Sequence, residues 1–311
     1  MEKIFNKLNN FHIAFLLFFI IALVHIDILS SPVGYYFSNL DLKDLNYYIN
    51  IRRYAADILS SGNIPLWTLK IFSGHPFLAN SETAAFYPLN FIFLFLPISK
   101  AINFSFLIHF FILSFSVFLW INNKIKNKPV SLLTAVVSVF SASYYMHSCA
   151  GHLSNIITMS WFALLLFLYD KTFETKNYKF IIPISAVIAL QIFAGHFQYV
   201  YYTALVSLLY VLFFCFNKVA VITVFSSYFA AFCLSAVQIL TSMDFYLQGA
   251  RITGILQHIS IKSKVSSLVT LIFADYTRFT SFFFWETSVY FGIFNALIIL
   301  LAVFNNFQKQ Y

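Results

Sequence analysis

The stretch from Asn39 to Asn90 reads NLDLKDLNYYINIRRYAADILSSGNIPLWTLKIFSGHPFLANSETAAFYPLN and stands between two long apolar runs. It holds Asp41, Asp44, Asp57 and Glu82 in a chain with eleven acidic residues, and Arg52 and Arg53 of only four arginines. The rest of the chain differs in kind. Of 311 residues, 60% are hydrophobic and 10% charged, and the mean hydropathy is +0.81. Those proportions lie outside the usual soluble range. Runs of roughly 20 apolar residues recur, each long enough to cross a hydrocarbon layer of about 30 Å. In lipid the backbone must hydrogen-bond to itself, so such a run has to be helical. The composition predicts an all-α, polytopic helical membrane protein with one transmembrane domain over residues 1–311.

Eight transmembrane spans are expected, near 11–30, 100–121, 130–146, 153–169, 180–195, 198–216, 219–240 and 288–304. The first apolar run is too long for a secretory h-region and no small-residue cleavage site follows it, so it reads as a retained helix. The formal charge of +8 does not form a nucleic-acid stripe, because the basic residues are scattered in short inter-helix loops. Lys3 and Lys7, then Lys124, Lys126 and Lys128, then Lys171, Lys176 and Lys179, then Lys218 and Lys309 mark every second junction. This alternation predicts one cytoplasmic face carrying both termini. The other face receives two long outer loops, 31–99 and 241–287, with all four arginines, Arg52, Arg53, Arg251 and Arg278. His75, His147, His152, His196 and His258 also fall at or near it. Cys149, Cys215 and Cys233 form no CxxC, which argues against a disulfide framework or a zinc site.

Within the opening stretch, Leu45, Tyr48 or Ile49, Arg52, Ala55 or Ala56, and Leu59 recur at spacings of three and four. That period predicts an amphipathic surface helix over Asp44–Ser60, ended by Gly62-Asn63-Ile64-Pro65. The apolar segment from Phe86 to Pro97 is too short to span and is expected to dip in or lie at the interface. Asp41 and Asp44, three apart, either cap this helix at its positive end or serve as a general base or metal ligands. The residues alone leave both readings open. Arg52 and Arg53 suit either lipid head groups or a lipid-linked phosphate. His75 and Glu82 fit a turn and a solvated loop, or a site. Gly151-His152 and Gly195-His196 mark breaks at the outer ends of two spans. Inside the spans, His25, Asp27 and His109 stand out, since ionisable groups at that depth are functional candidates.

Three runs now carry a resemblance. Gly62-Asn63-Ile64-Pro65-Leu66-Trp67, then Phe72-Ser73-Gly74-His75-Pro76-Phe77-Leu78-Ala79-Asn80, then Phe86-Tyr87-Pro88-Leu89-Asn90 resemble the first outer loop of the bacterial YfhO-like membrane proteins. Gly151-His152-Leu153-Ser154-Asn155 with Trp161, Gly195-His196-Phe197-Gln198 with Tyr201-Tyr202, and Glu286-Thr287-Ser288-Val289-Tyr290-Phe291-Gly292 fit the same family. Thr68 stands where the pattern has Asn. Relatives are commonly longer, so the chain is expected to be a truncated copy, half of a split protein, or a fragment lacking its acceptor site.

The family is similar to the GT-C type of membrane glycosyltransferases. The resemblance implies a GT-C-like architecture and transfer of a sugar from a polyprenyl-phosphate carrier to a cell-envelope glycan or protein acceptor on the outer face. It implies an essential acid near the start of the first-loop helix, Asp44 or Asp41. Arg52, Arg53, His75, Glu82, His152, His196, Arg251 and Glu286 are the expected residues for substrate and lipid phosphate. No spacing demands a metal; a divalent Mg or Mn ion bridging the acids is the only cofactor this reading admits. The rival readings are a lipid flippase or transporter, and a non-catalytic partner of a second membrane subunit. A transporter is expected to carry broken helices and polar groups near the midplane.

Overall fold

The computed structural model describes residues 8–38, 43–71, 73–214 and 217–248. Asp41, Phe72, Cys215, Arg251, His258, Arg278, Glu286, the expected span 288–304 and all of the second outer loop past residue 248 lie outside them. Among the described residues the chain is all-helical. The only extended pairing there is an isolated antiparallel bridge between Thr68 and His75.

In chain order the helices are α1 (Asn10–Val24), α2 (Ile26–Ser30), α3 (Lys43–Ser60), α4 (Ile98–Ile125), α5 (Lys128–Val139) and α6 (Ala142–Cys149). There follow α7 (Leu153–Ser160), α8 (Phe162–Thr175), α9 (Ile181–Ala194), α10 (Phe197–Phe214), α11 (Lys218–Leu234) and α12 (Ala236–Gln248). Two 3-10 turns, Ser81–Thr83 and Pro88–Leu94, sit in the first loop. The second of these is the apolar segment expected to dip in, and it packs on α3 and α4.

Four described helices are long and apolar enough to cross a membrane: α4, α5 with α6, α7 with α8, and α10. Counting the bent pair α11–α12 as one span makes five. The chain is therefore a helical membrane protein. The eight expected spans divide differently. The runs 11–30 and 180–195 form shorter helices, α1 of 15 residues and α9 of 14. The run 219–240 turns through 78° between α11 and α12. At the turn Ser235 Oγ bonds back to the Ala231 carbonyl at 2.6 Å. Beyond it, Gln238 Nε2 donates to the Leu78 carbonyl at 3.0 Å and Ser242 Oγ to the Ala79 carbonyl at 2.7 Å. Gln238 and Ser242 of α12 thus find partners in the first loop instead of in lipid.

Helices in lipid gain little from hydrophobicity against one another and associate through close contact. Small residues supply it here. Ser105, Ser114, Ser116, Ser131, Ser160, Ser185, Ser207 and Ser227 are all buried, with Ala101, Ala135, Ala163, Ala220 and Ala231. Many of these serines satisfy their hydroxyls on a carbonyl of the preceding turn, as Ser131 does on Asn127 at 2.7 Å.

The two ends of the bundle are chemically distinct. At the lysine-rich end, Asn9, Asn127 and Asn217 cap α1, α5 and α11, each such cap being worth about 1 kcal/mol. Asp170 is buried there and accepts from Lys124 Nζ at 2.7 Å, Trp120 Nε1 at 3.1 Å and the Tyr210 hydroxyl at 2.5 Å. The opposite end carries α3 and the first loop.

Candidate functional site

Helix α3 forms where the spacing predicted it, and its apolar side is buried against the bundle. Leu45, Tyr48, Ile49, Arg52 and Ala55 face inward; Arg53 and Asp57 are exposed. The helix packs tightly on the break before α7. A Cβ on Gly151, whose φ is +83°, would lie 2.7 Å from Leu45 Cβ. That close approach sets Asp44, in the first turn of α3, against His152.

Asp44 Oδ2 accepts from His152 Nε2 at 2.9 Å. A carboxylate only accepts, so Nε2 carries the hydrogen and Nδ1 of a neutral His152 is left to accept. His147 Nδ1 lies 2.9 Å from that Nδ1 and supplies the hydrogen, and the Tyr199 hydroxyl donates to His147 Nε2 at 3.3 Å. A chain of hydrogen bonds therefore runs from Tyr199 on α10 through two imidazoles to Asp44. Asp44 remains half exposed, with 55% of its side chain accessible, and His152 is largely covered at 15%.

Glu82 sits beside this chain. Its carboxylate accepts from the Tyr48 hydroxyl at 3.4 Å and from Tyr47, whose oxygen receives Asn80 Nδ2 at 2.6 Å. Burial holds the Glu82 carboxyl above its ordinary pKa, the tyrosine hydroxyls and the charge of Arg52 pull it back, and the charge of Asp44 adds to the rise. Arg52, expected at a lipid phosphate, is placed otherwise. It is 1% exposed and donates through Nη1 to the carbonyls of Glu82, at 2.8 Å, and Thr83, with Nη2 3.4 Å from Ser154 Oγ. Burial lowers its pKa to about 10, so it stays a cation at neutral pH, spent on holding the loop. The physical reason is its register on the apolar side of α3.

His196 follows Gly195 at the break between α9 and α10. Ser81 Oγ donates to the Gly195 carbonyl at 2.8 Å, which brings the loop before Glu82 onto this break. The His196 ring lies 4.8 Å from that of Tyr199, and its Nδ1 is buried without a hydrogen-bond partner. Burial first, then the charge of His152, pushes its pKa down to about 4. A consequence follows for stability. Between pH 4 and the ordinary value of 6.5 the unfolded chain binds a proton at His196 that the folded chain does not. Stability should therefore rise with pH across that window on account of this group. Glu82 acts oppositely: its raised pKa makes the folded chain the better proton binder, so its contribution falls as pH climbs above 4.5. Thermal unfolding between pH 4 and 7 should show a flatter low-pH rise in His196→Asn and a steeper one in Glu82→Gln. Parallel curves for all three proteins would contradict these assignments.

His75 pairs its backbone with Thr68 at 2.8 and 2.9 Å, sets its ring edge-on to Phe245 at 5.1 Å, and lines the same cavity as Glu82. Other expected residues take structural places. His109 Nδ1 donates to the Ser105 carbonyl at 2.6 Å, and its Nε2 accepts from the Tyr87 hydroxyl at 2.7 Å. Tyr87 in turn receives Trp161 Nε1 at 2.9 Å, so this neutral network pins the FYPLN run to the bundle. His25 bonds to the Ile21 carbonyl at 2.7 Å and to Tyr145 at 3.0 Å. Asp27 is exposed.

Comparison with protein families, with curated proteins and with solved structures finds no match for this chain. The site has to be read from its own geometry.

That geometry brings together Asp44, His152, His196 and Glu82 of the expected set. It adds His147, Tyr199, Tyr47 and Asn80. Their signals lay in the sequence: His147 precedes His152 by five residues across the same break, and Tyr199 follows His196 by three. Arg53 is exposed on the outer side of α3, away from Arg52. Among the described residues no three His, Cys, Asp or Glu side chains converge as a metal site; Asp41 lies outside them.

Proposed function

We propose that this chain is a membrane glycosyltransferase of GT-C-like architecture, akin to the YfhO-like proteins, acting on the outer face of a bacterial plasma membrane. The observation that carries the reading is the pair formed by Asp44 and His152 at the leading end of the first-loop helix. A half-exposed carboxylate, held at 2.9 Å by an imidazole that is itself held by a second imidazole, suits a general base. Its charge reaches Glu82, which helps line an open cavity of about 820 Å³, a volume typical of small-molecule sites.

The reaction is a direct displacement. The hydroxyl oxygen of the acceptor bonds to the anomeric carbon of a polyprenyl-phosphate-linked sugar, the bond from that carbon to the phosphate oxygen breaks, and the lipid phosphate leaves. The hydroxyl proton passes to Asp44, whose orientation His152 fixes. With Arg52 spent on the loop, charge stabilisation of the departing phosphate falls to Arg53 and Arg251. No step is assigned to a Mg or Mn ion.

The test is transfer from a lipid-linked sugar by the purified chain in proteoliposomes. Asp44→Asn should lower turnover by about a hundredfold, the low end for loss of a general base, without changing thermal stability. His152→Gln should lower it less. Full activity in a chain carrying both Asp41→Asn and Asp44→Asn would sink the proposal.

One observation favours a second reading, a lipid flippase or transporter. The break between α11 and α12 is a discontinuous span of the kind transporters use, and the chain of hydrogen bonds from Tyr199 to Asp44 reads equally as a proton path. Lipid or sugar flux across proteoliposomes with no glycosylated product would favour it.

A further inference from the structure

The cavity that Glu82 lines has a construction that identifies what it takes. The turn at Ser235 lays α12 across the first loop, where Gln238 and Ser242 fasten it to the carbonyls of Leu78 and Ala79. Between loop and helix lies the space of about 820 Å³. Aromatic side chains from three helices border it: Tyr47 from α3, Phe197 from α10, and Phe245 and Tyr246 from α12. Glu82, Asn80, Ser81 and His75 supply its polar edge from the loop, with Ser242 from α12.

These polar groups are held in place. Asn80 Oδ1 accepts from the backbone N–H of Glu82 at 3.2 Å while its amide donates to Tyr47 at 2.6 Å. Tyr47 then directs its hydroxyl hydrogen to the Glu82 carboxylate. A carboxylate so held keeps lone pairs for further donors. Flat apolar faces with a fixed acceptor at one edge match a pyranose, which has a C–H face and a rim of hydroxyl donors. Charge narrows the class further. Among the described residues, Glu82 is the one charged carboxylate on the cavity wall and feels the charge of Asp44 nearby, while the Arg52 guanidinium is buried behind the loop and His75 is the one imidazole on the wall.

We infer that this cleft binds a neutral pyranose, with Glu82 accepting hydrogen bonds from its hydroxyls and the aromatic side chains of α10 and α12 covering its C–H face, and that it rejects sugars carrying a carboxylate. The cleft's service to transfer rests on the glycosyltransferase reading; the binding itself does not.

The test uses the full chain in lipid nanodiscs and reads saturation transfer by NMR to methyl glucoside and to methyl glucuronide. The wild-type protein should label the glucoside at least fivefold more strongly than the glucuronide. Glu82→Gln keeps the size and removes the charge, and should bring that ratio close to one. Tyr246→Ala, at an exposed position, should weaken the glucoside signal severalfold. No labelling of either sugar, or an unchanged ratio in Glu82→Gln together with an unchanged signal in Tyr246→Ala, overturns the inference. The two readings fail separately. Glucoside labelling by a chain that transfers no sugar overturns the transferase and leaves the cleft standing. Transfer abolished by Asp44→Asn, with sugar discrimination indifferent to Glu82 and Tyr246, does the reverse.

Discussion

Replacing Arg52 by methionine should destabilise the protein by about 3–5 kcal/mol, the range for removing one partner from a buried, hydrogen-bonded charge. Methionine fills much of the volume of the stem, so the loss isolates the guanidinium. Its Nη1 holds the carbonyls of Glu82 and Thr83, and Nη2 reaches Ser154 on α7. The cation also lies 5.9 Å from the Tyr48 ring centroid and faces the Glu82 carboxylate. Without it, two loop carbonyls are buried unpaired, and Glu82 faces Asp44 with no compensating cation. Arg52→Lys keeps the charge but loses the planar fork and should cost about half as much. Arg53→Met, on the exposed side, should stay within about 0.5 kcal/mol of wild type, as surface changes usually do. Urea unfolding in detergent checks all three. An Arg52→Met protein as stable as wild type would show that the loop is held by other means.

Arg52 also shows how far the sequence could be read. Its spacing already placed it in register with Leu45, Tyr48 and Ala55, so the burial was legible in the period. The reading toward phosphate came from residue type, which says what a guanidinium can bind and not what it faces. The helix itself, the breaks at Gly151 and Gly195, and the helical membrane class follow from patterns local in the chain. Contacts distant in sequence do not. His147 and Tyr199 are 52 residues apart, and only the packing of α10 on α7, which also carries α6, makes them one chain of hydrogen bonds. Asp170 was lost differently. It lies just past the expected span 153–169, where an acid reads as solvated, yet α8 continues to Thr175 and buries it among Trp120, Lys124 and Tyr210. The turn at Ser235 was hidden because the apolar run continues through it. Gln238 was the available clue, since an amide deep in an apolar run needs a partner.

Gly195 is where the loop and the bundle depend on each other most closely, and Gly195→Ala should cost roughly 3 kcal/mol. Two penalties add. The residue has a φ of +97°, which a side chain adopts only at about 1 kcal/mol or more. A Cβ there would also lie 2.2 Å from the Ser81 carbonyl oxygen and 2.8 Å from its carbon. Backbone, unlike the end of a flexible side chain, cannot rotate aside, so the Ser81–Glu82 peptide must move, and overpacking of this kind costs about 1–3 kcal/mol. Ser81→Ala offers the contrast: it removes only the 2.8 Å bond to the Gly195 carbonyl, worth about 1 kcal/mol, and leaves the backbones in contact. The functional loss in Gly195→Ala should exceed what its stability change explains. The displaced peptide carries Glu82 with it, away from Tyr47 and Tyr48, while Asp44 and His152 stay joined at the other break. Sugar labelling should therefore fall severalfold in Gly195→Ala at a temperature where the protein is fully folded, and remain close to wild type in Ser81→Ala. Equal labelling in the two variants would mean that the Gly195 contact stabilises the fold without shaping the cleft.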